Sequence, residues 1–336
     1  MNGRQRCLAA IRGQAVDRAP VFPLLMFLAA DRAGIPYRRF ATEGRALAEA
    51  QLRVGESFEL DALTACSDAF RLASDLGADM IYPEEATPYS RKPLVSGEAD
   101  LARLAPVDPL RRGGRLADRV AAVAELARAV GAHTLVLGWV DMPFAEACSA
   151  CGVADFLTML YDSPALAHKL LEFLTPQVIA FSLAQLEAGA PMIGAGDAAA
   201  SLVSPAFYRE FALPYERRVV EAVHARGGLL KLHICGNTTA LLPDMLELDA
   251  DLYNVDHLVD LAAALDCFGS GGRCIKGNLD PAAELAFATP EQAQASALQR
   301  LQRAAGARYM LSAGCEVPAS VSDATFRAFC RAPRLA

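Results

Sequence analysis

Short apolar runs alternate along this chain with longer segments in which Leu, Ala and Val recur at helical spacing. The runs at 20–27, 61–66, 133–138, 191–195, 228–234, 251–255, 273–277 and 308–313 read as eight strands. Between them, 115–130, 164–188, 205–225, 238–248 and 290–305 read as helices that bury one face. Ser163-Pro164 and Ser204-Pro205 put proline at helix starts, where its missing N–H costs nothing. Gly189, Gly227 and Gly306 follow helices and precede strands, as a βα repeat requires.

This order predicts an α/β fold: one (β/α)8 TIM barrel with an N-terminal helical extension. A doubly wound sheet would favour a glycine loop between strand and helix, whereas Gly269-Ser270-Gly271-Gly272 precedes a strand and reads as a turn. The β-like Met80 to Tyr82, followed by Pro83-Glu84-Glu85-Ala86-Thr87-Pro88, predicts an insertion over the barrel mouth; lid and plain surface hairpin are both open readings.

Composition narrows the function. At 336 residues and 53% hydrophobic, the chain can bury a large core. A net charge of -7 with no dense basic run argues against nucleic acid as a partner. No stretch reaches the roughly 20 apolar residues of a membrane span, and the polar N-terminus reads as a cytoplasmic start. Nine cysteines, an odd number without an export signal, are expected reduced and available to a metal.

His233 and Cys235 lie two apart at the end of the fifth predicted strand, so period two puts both on one face. Cys315 follows the eighth, and barrel closure would bring it to the same mouth. Two thiolates and one imidazole suit zinc and leave a fourth position for substrate. H-x-C alone is a weak pattern, and buried cysteines commonly serve as apolar filler. Cys148-Ser149-Ala150-Cys151 has the competing C-x-x-C spacing, but its Ala-rich helical setting favours packing. Asp68, Asp197, Asn254, Asp256, His257, Asn278 and Asp280 share the strand-end address; each either meets a substrate or caps a loop. His257 is a candidate proton relay oriented by Asp256, whereas His133, His168 and His224 read as packing or surface groups.

Asp17-Arg18-Ala19-Pro20, Cys66-Ser67-Asp68, Gly77-Ala78-Asp79, Gly194-Ala195-Gly196-Asp197, His233-Ile234-Cys235-Gly236-Asn237, Gly277-Asn278-Leu279-Asp280-Pro281 and Gly314-Cys315-Glu316 together resemble the uroporphyrinogen decarboxylase superfamily. The last three, in this order, are similar to its zinc-dependent methylcobamide:thiol methyltransferase branch. The resemblance spans nearly the whole chain and implies a single domain over 1–336. It implies zinc on His233, Cys235 and Cys315; from their strand-end positions Asp197 and His257 are expected to share in catalysis, and Asp68, Asp197 and Asn278 to contact the cofactor. Glu316 is then a base beside the metal or an alternative ligand. The implied reaction moves methyl from a methylated corrinoid to a thiol such as coenzyme M. A separate carrier protein is expected to bring the corrinoid, because the D-x-H-x-x-G signature of a cobalamin-binding domain is missing; a homodimer is compatible. Removal of methyl from an ether, thioether or amine onto a corrinoid is the alternative, and a non-enzymatic metal module the reading of another class. A porphyrinogen decarboxylase is disfavoured: the arginine-bearing segment that it needs after the first strand is here Leu24-Leu25-Met26-Phe27-Leu28-Ala29-Ala30.

Overall fold

A computed structural model describes residues 1–336. Its strands are β1 (Ala62–Thr64), β2 (Met80–Ile81), β3 (Tyr89–Ser90), β4 (Leu135–Asp141), β5 (Met192–Gly196), β6 (Leu229–His233), β7 (Leu252–Asn254), β8 (Cys274–Leu279) and β9 (Tyr309–Ala313). A seven-stranded parallel sheet runs β1-β4-β5-β6-β7-β8-β9, and β2 pairs antiparallel with β3 in a separate hairpin. The connecting helices include Arg115–Val130, Pro164–Glu187, Leu213–Ala225 and Pro290–Arg303. Helices outside and side chains inside cover both faces of each strand, which is why β4 reads Leu-Val-Leu-Gly-Trp-Val-Asp and is buried throughout. Leu137, Met192, Leu252, Cys274 and Met310 fill the lower interior.

The first expected strand, 20–27, is not a regular strand. Pro20 and Pro23 have no N–H to offer a ladder, and from Phe27 the chain is already helical. The segment nevertheless occupies the eighth place. Val21 and Leu24 form isolated parallel bridges with Leu311 and Glu316 on the β9 side, and the Asp61 N–H donates to the Val21 carbonyl on the β1 side.

Asp61 secures this closure with its side chain. It is almost fully buried and accepts from the Val21 N–H at 2.7 Å, Arg6 Nη1 at 2.5 Å and Arg18 Nη1 at 2.7 Å. Asp61→Ala would leave the largely buried Arg18 without a carboxylate and Arg6 with only the more exposed Asp17, and is expected to destabilise the fold by about 3–5 kcal/mol, read from urea unfolding midpoints. An unchanged midpoint would refute this account of closure.

The expected insertion is the β2–β3 hairpin, and Thr87 and Pro88 from it form part of a cavity wall at the barrel mouth. The expected 205–225 helix is one element with an internal irregularity. Tyr208–Ala212 has π-type turns between two α segments, next to Pro214, which cannot donate to an earlier carbonyl. No helix is long and apolar enough to cross a membrane.

Candidate metal centre

His233 is the last residue of β6, Cys235 lies two residues beyond it, and Cys315 two beyond the end of β9. One ligand atom from each lies within 4.8 Å of the other two. Sγ of Cys235 is 3.0 Å from His233 Nε2 and 3.5 Å from Sγ of Cys315. The Asn254 carbonyl, 3.0 Å from His233 Nδ1, can only accept, so Nδ1 carries the proton and Nε2 presents its lone pair. This is the tautomer a metal requires. Without a metal, the two thiols share a proton. Cys315 is pulled down to about 4, first by the hydrogen bond from Cys235 and then by His233, while Cys235 moves up.

The loops carrying the cysteines are held by backbone-directed contacts. Asp256 accepts from the Gly236 N–H at 3.0 Å, just after Cys235. Gly314 packs so closely that a Cβ there would sit 2.3 Å from the His257 backbone nitrogen; only glycine lets Cys315 approach the other ligands. Lys231 and Lys276 are fully buried in the barrel. Lys231 Nζ is 4.4 Å from the Trp139 ring centroid, and burial brings its amine down to about 8. Lys276 Nζ donates to Asn254 Oδ1 at 2.8 Å, steadying the residue whose carbonyl orients His233.

All three candidate ligands line a cavity of about 260 Å³ with Leu24, Met26, Cys66, Trp139, Asp68, Asp141 and Glu316 among its other walls. Burial alone would push Asp68 up, but the Arg115 charge and its hydrogen bonds at 2.9 and 2.7 Å hold it well below the usual carboxylate range. Burial also raises Asp141, and Arg71, fully buried with Asp141 as its one hydrogen-bond acceptor, opposes that shift. Burial pushes Glu316 up to about 7, and its Oε1 accepts the Phe27 N–H at 2.7 Å.

Three sequence candidates lie elsewhere. Asp197 leaves the cavity because it follows inward-facing Gly196 by one residue and so points to the opposite face; it is fully buried beside Glu216, itself held by Tyr208. Burial raises both carboxyls and Glu216 raises Asp197 further, and the Asp197 contribution near the candidate metal centre is its N–H, donated to the His233 carbonyl at 2.9 Å. Asn278 is buried outside the cavity lining and donates to the Asp256 and Val259 carbonyls at 3.2 and 2.7 Å, which braces that loop. His257 sits between Asp256 and Asp280 at 3.0 and 3.7 Å, outside the cavity lining. Asp68 lines the cavity, but both of its oxygens are engaged by Arg115. Cys148 and Cys151 are buried, free and packed in the core. Sequence reasoning missed Asp141, Trp139 and the two lysines. The signal was available in Lys231-Leu232-His233, where period two puts a lysine on the same inward face as the histidine.

The zinc-type donor set therefore fits these residues, with soft thiolates, a correctly protonated imidazole and an adjoining cavity. Superposition on a methyltransferase from Methanosarcina mazei gives a TM-score of 0.89 at 23% identity, covering 100% of this chain and 99% of that one, which establishes the barrel fold over the full length. Uroporphyrinogen decarboxylase from Xanthomonas campestris pv. campestris (strain B100) is 31% identical over 300 residues, 82% of this chain and 81% of that protein. The corresponding enzyme of Prochlorococcus marinus (strain MIT 9303) is 28% identical over 327 residues, 91% and 89% of the two chains. A sequence model described as uroporphyrinogen decarboxylase (URO-D) matches residues 2–334, and the chain belongs to that family.

Proposed function

We propose that this protein is a zinc-dependent methyltransferase that moves methyl between a corrinoid and a small thiol. The observation that carries the reading is the His233–Cys235–Cys315 cluster with its proton-assigned imidazole, opening on a cavity. The methyltransferase of the same fold supports it. Bound at this cluster, zinc supplies the charge that keeps a thiol ionised near neutral pH.

The chain's own residues do the rest. His233, Cys235 and Cys315 would hold the metal from the barrel side, leaving the cavity as the side open to a sulfur ligand. Leu24, Met26 and Trp139 give that sulfur an apolar, water-poor surrounding, which strengthens the electrostatics of attack. A methylated corrinoid, brought to the mouth by a separate carrier protein, presents its carbon there. The sulfur forms a bond to methyl as the cobalt–carbon bond breaks, and the electron pair stays with cobalt as cob(I)amide. Alignment within the barrel makes this displacement effectively unimolecular.

Decarboxylation of a polycarboxylate tetrapyrrole fits less well. No Lys or Arg lines the cavity, and about 260 Å³ is below the roughly 300–1,000 Å³ of pockets that enclose drug-sized ligands. The decisive experiment incubates zinc-loaded protein with methylcobalamin and a panel of thiols while the cobalamin spectrum is followed. Thiol-dependent demethylation is expected. Carbon dioxide release from a polycarboxylate tetrapyrrole without added metal, and no demethylation, would overturn the reading.

A further inference from the structure

The walls of the cavity also carry information about the far end of the thiol. Asp68, Asp141 and Glu316 line it, whereas the guanidinium groups that balance the two aspartates, Arg115 and Arg71, stand behind them, outside the lining. Each ion pair thus turns its negative end toward a bound molecule. Asp68 has both oxygens committed to Arg115. Asp141 differs: only one of its oxygens takes an arginine, Arg71, while its other side-chain partner is the neutral Trp139, so Oδ1 beside Gly196 is left without a cation.

Strand register places Asp141 relative to the metal ligands. Asp141 of β4 is paired with Gly196 of β5, and Gly196 with His233 of β6, so the three form one inward-facing row. Gly196 leaves the row open at its centre. A Cβ there would stand 3.3 Å from Asp141 Oδ1 and 3.0 Å from the Trp139 ring, in the space between Asp141 and His233. Two strand steps separate the outer Cα atoms by roughly 10 Å, and both side chains converge inward, so a spacer of about two or three carbons spans sulfur to head group.

We infer that the site takes a small aminothiol, its sulfur at the His233–Cys235–Cys315 cluster and its ammonium on Asp141 Oδ1, in preference to a thiol ending in sulfonate or carboxylate. This rests on the thiol reading above and narrows it. An anionic head group would face three carboxyl groups with no cation on the wall to receive it. The Trp139 ring beside Gly196 gives the ammonium an apolar, π-rich wall.

Binding can be read without any corrinoid. Protein loaded with Co(II) in place of zinc carries a sulfur-to-cobalt charge-transfer band from Cys235 and Cys315 that intensifies when a third thiolate coordinates, and the increment gives Kd for cysteamine, 2-mercaptoethanol and 2-mercaptoethanesulfonate. Cysteamine is expected to bind on the order of tenfold to a hundredfold more tightly than the sulfonate, with the neutral thiol between them. Asp141→Asn should collapse that preference, which separates the wall's contribution from the thiols' own differences in acidity. Because Asp141 also balances Arg71, a second variant on the hairpin, Thr87→Lys, adds a cation to the wall and should raise sulfonate affinity while lowering that of cysteamine. Sulfonate binding as tight as cysteamine in the wild type would overturn the inference while leaving the thiol reading intact. A band unmoved by all three thiols would overturn the thiol reading itself.

Discussion

Cys315→Ala is expected to leave a folded barrel that no longer retains stoichiometric zinc and no longer demethylates methylcobalamin with thiols. The fold should survive because Cys315 lies beyond β9 and is only partly buried, outside the core. The metal should be lost because two ligands on one strand end, His233 and Cys235, cannot enclose it from both sides of the barrel. Activity falls for two separable reasons. A free thiol with pKa near 8.5 is only about 3% ionised at pH 7, so loss of metal activation alone costs about thirtyfold. Loss of alignment multiplies that figure, since positioning accounts for several powers of ten in oriented reactions. Metal analysis, circular dichroism and methylcobalamin turnover on the same preparation check all three expectations. Retained zinc with retained turnover would remove Cys315 from the centre.

Gly314→Ala is expected to disable the same centre without touching a ligand. The added methyl would lie 2.3 Å from the His257 nitrogen and 2.9 Å from the Asp256 carbonyl carbon, both backbone atoms that cannot rotate away. Relief requires the 314–316 turn to move, and Cys315 moves with it. Overpacking of this kind costs about 1–3 kcal/mol of stability. The larger effect should be on metal affinity, because a shift of even half an ångström breaks a ligand sphere whose bond lengths are fixed to about 0.2 Å. Competitive zinc titration against a chromophoric chelator should show weakening by at least about a hundredfold, the upper range seen when a ligand's support is removed. Wild-type affinity in Gly314→Ala would show that the turn is looser than its packing indicates. A folded but weakly binding variant would separate the turn's role in holding Cys315 from any role in catalysis.

These two expectations rest on different kinds of legibility. The His233–Cys235 pair could be read directly, because strand period two is a local property of covalent geometry. Cys315 required the further step that eight strand ends meet around one mouth, and the structure brings it within 3.5 Å of Cys235. The barrel itself was legible from alternating runs, helix-start prolines and helix-end glycines. Its first strand was misjudged because Val21, Phe22, Leu24 and Leu25 look apolar enough for a ladder, while Pro20 and Pro23 deny it donors; the bridges to Leu311 and Glu316 are tertiary facts.

The candidates at strand ends show where local reasoning stopped. Asp197 and Asn278 share the address of the candidate metal ligands, yet one turns toward Glu216 and the other braces the Asp256 loop. Which way a residue points just past a strand depends on where the chain leaves the sheet, and sequence spacing carries no record of that. Asp141 and Gly196 illustrate the converse. Neither forms a motif with His233, from which they stand 92 and 37 positions away, and only the parallel register of three strands sets them in one row. The sequence by itself determined the α/β barrel class, the strand end that carries two candidate metal ligands and the chemistry those side chains favour, because all three follow from periodicity and side-chain type. The tertiary structure alone decided which carboxylates face the cavity, which arginines neutralise them from behind and which lysines lie beneath the site. Those are consequences of barrel closure, which makes neighbours of residues the chain holds far apart.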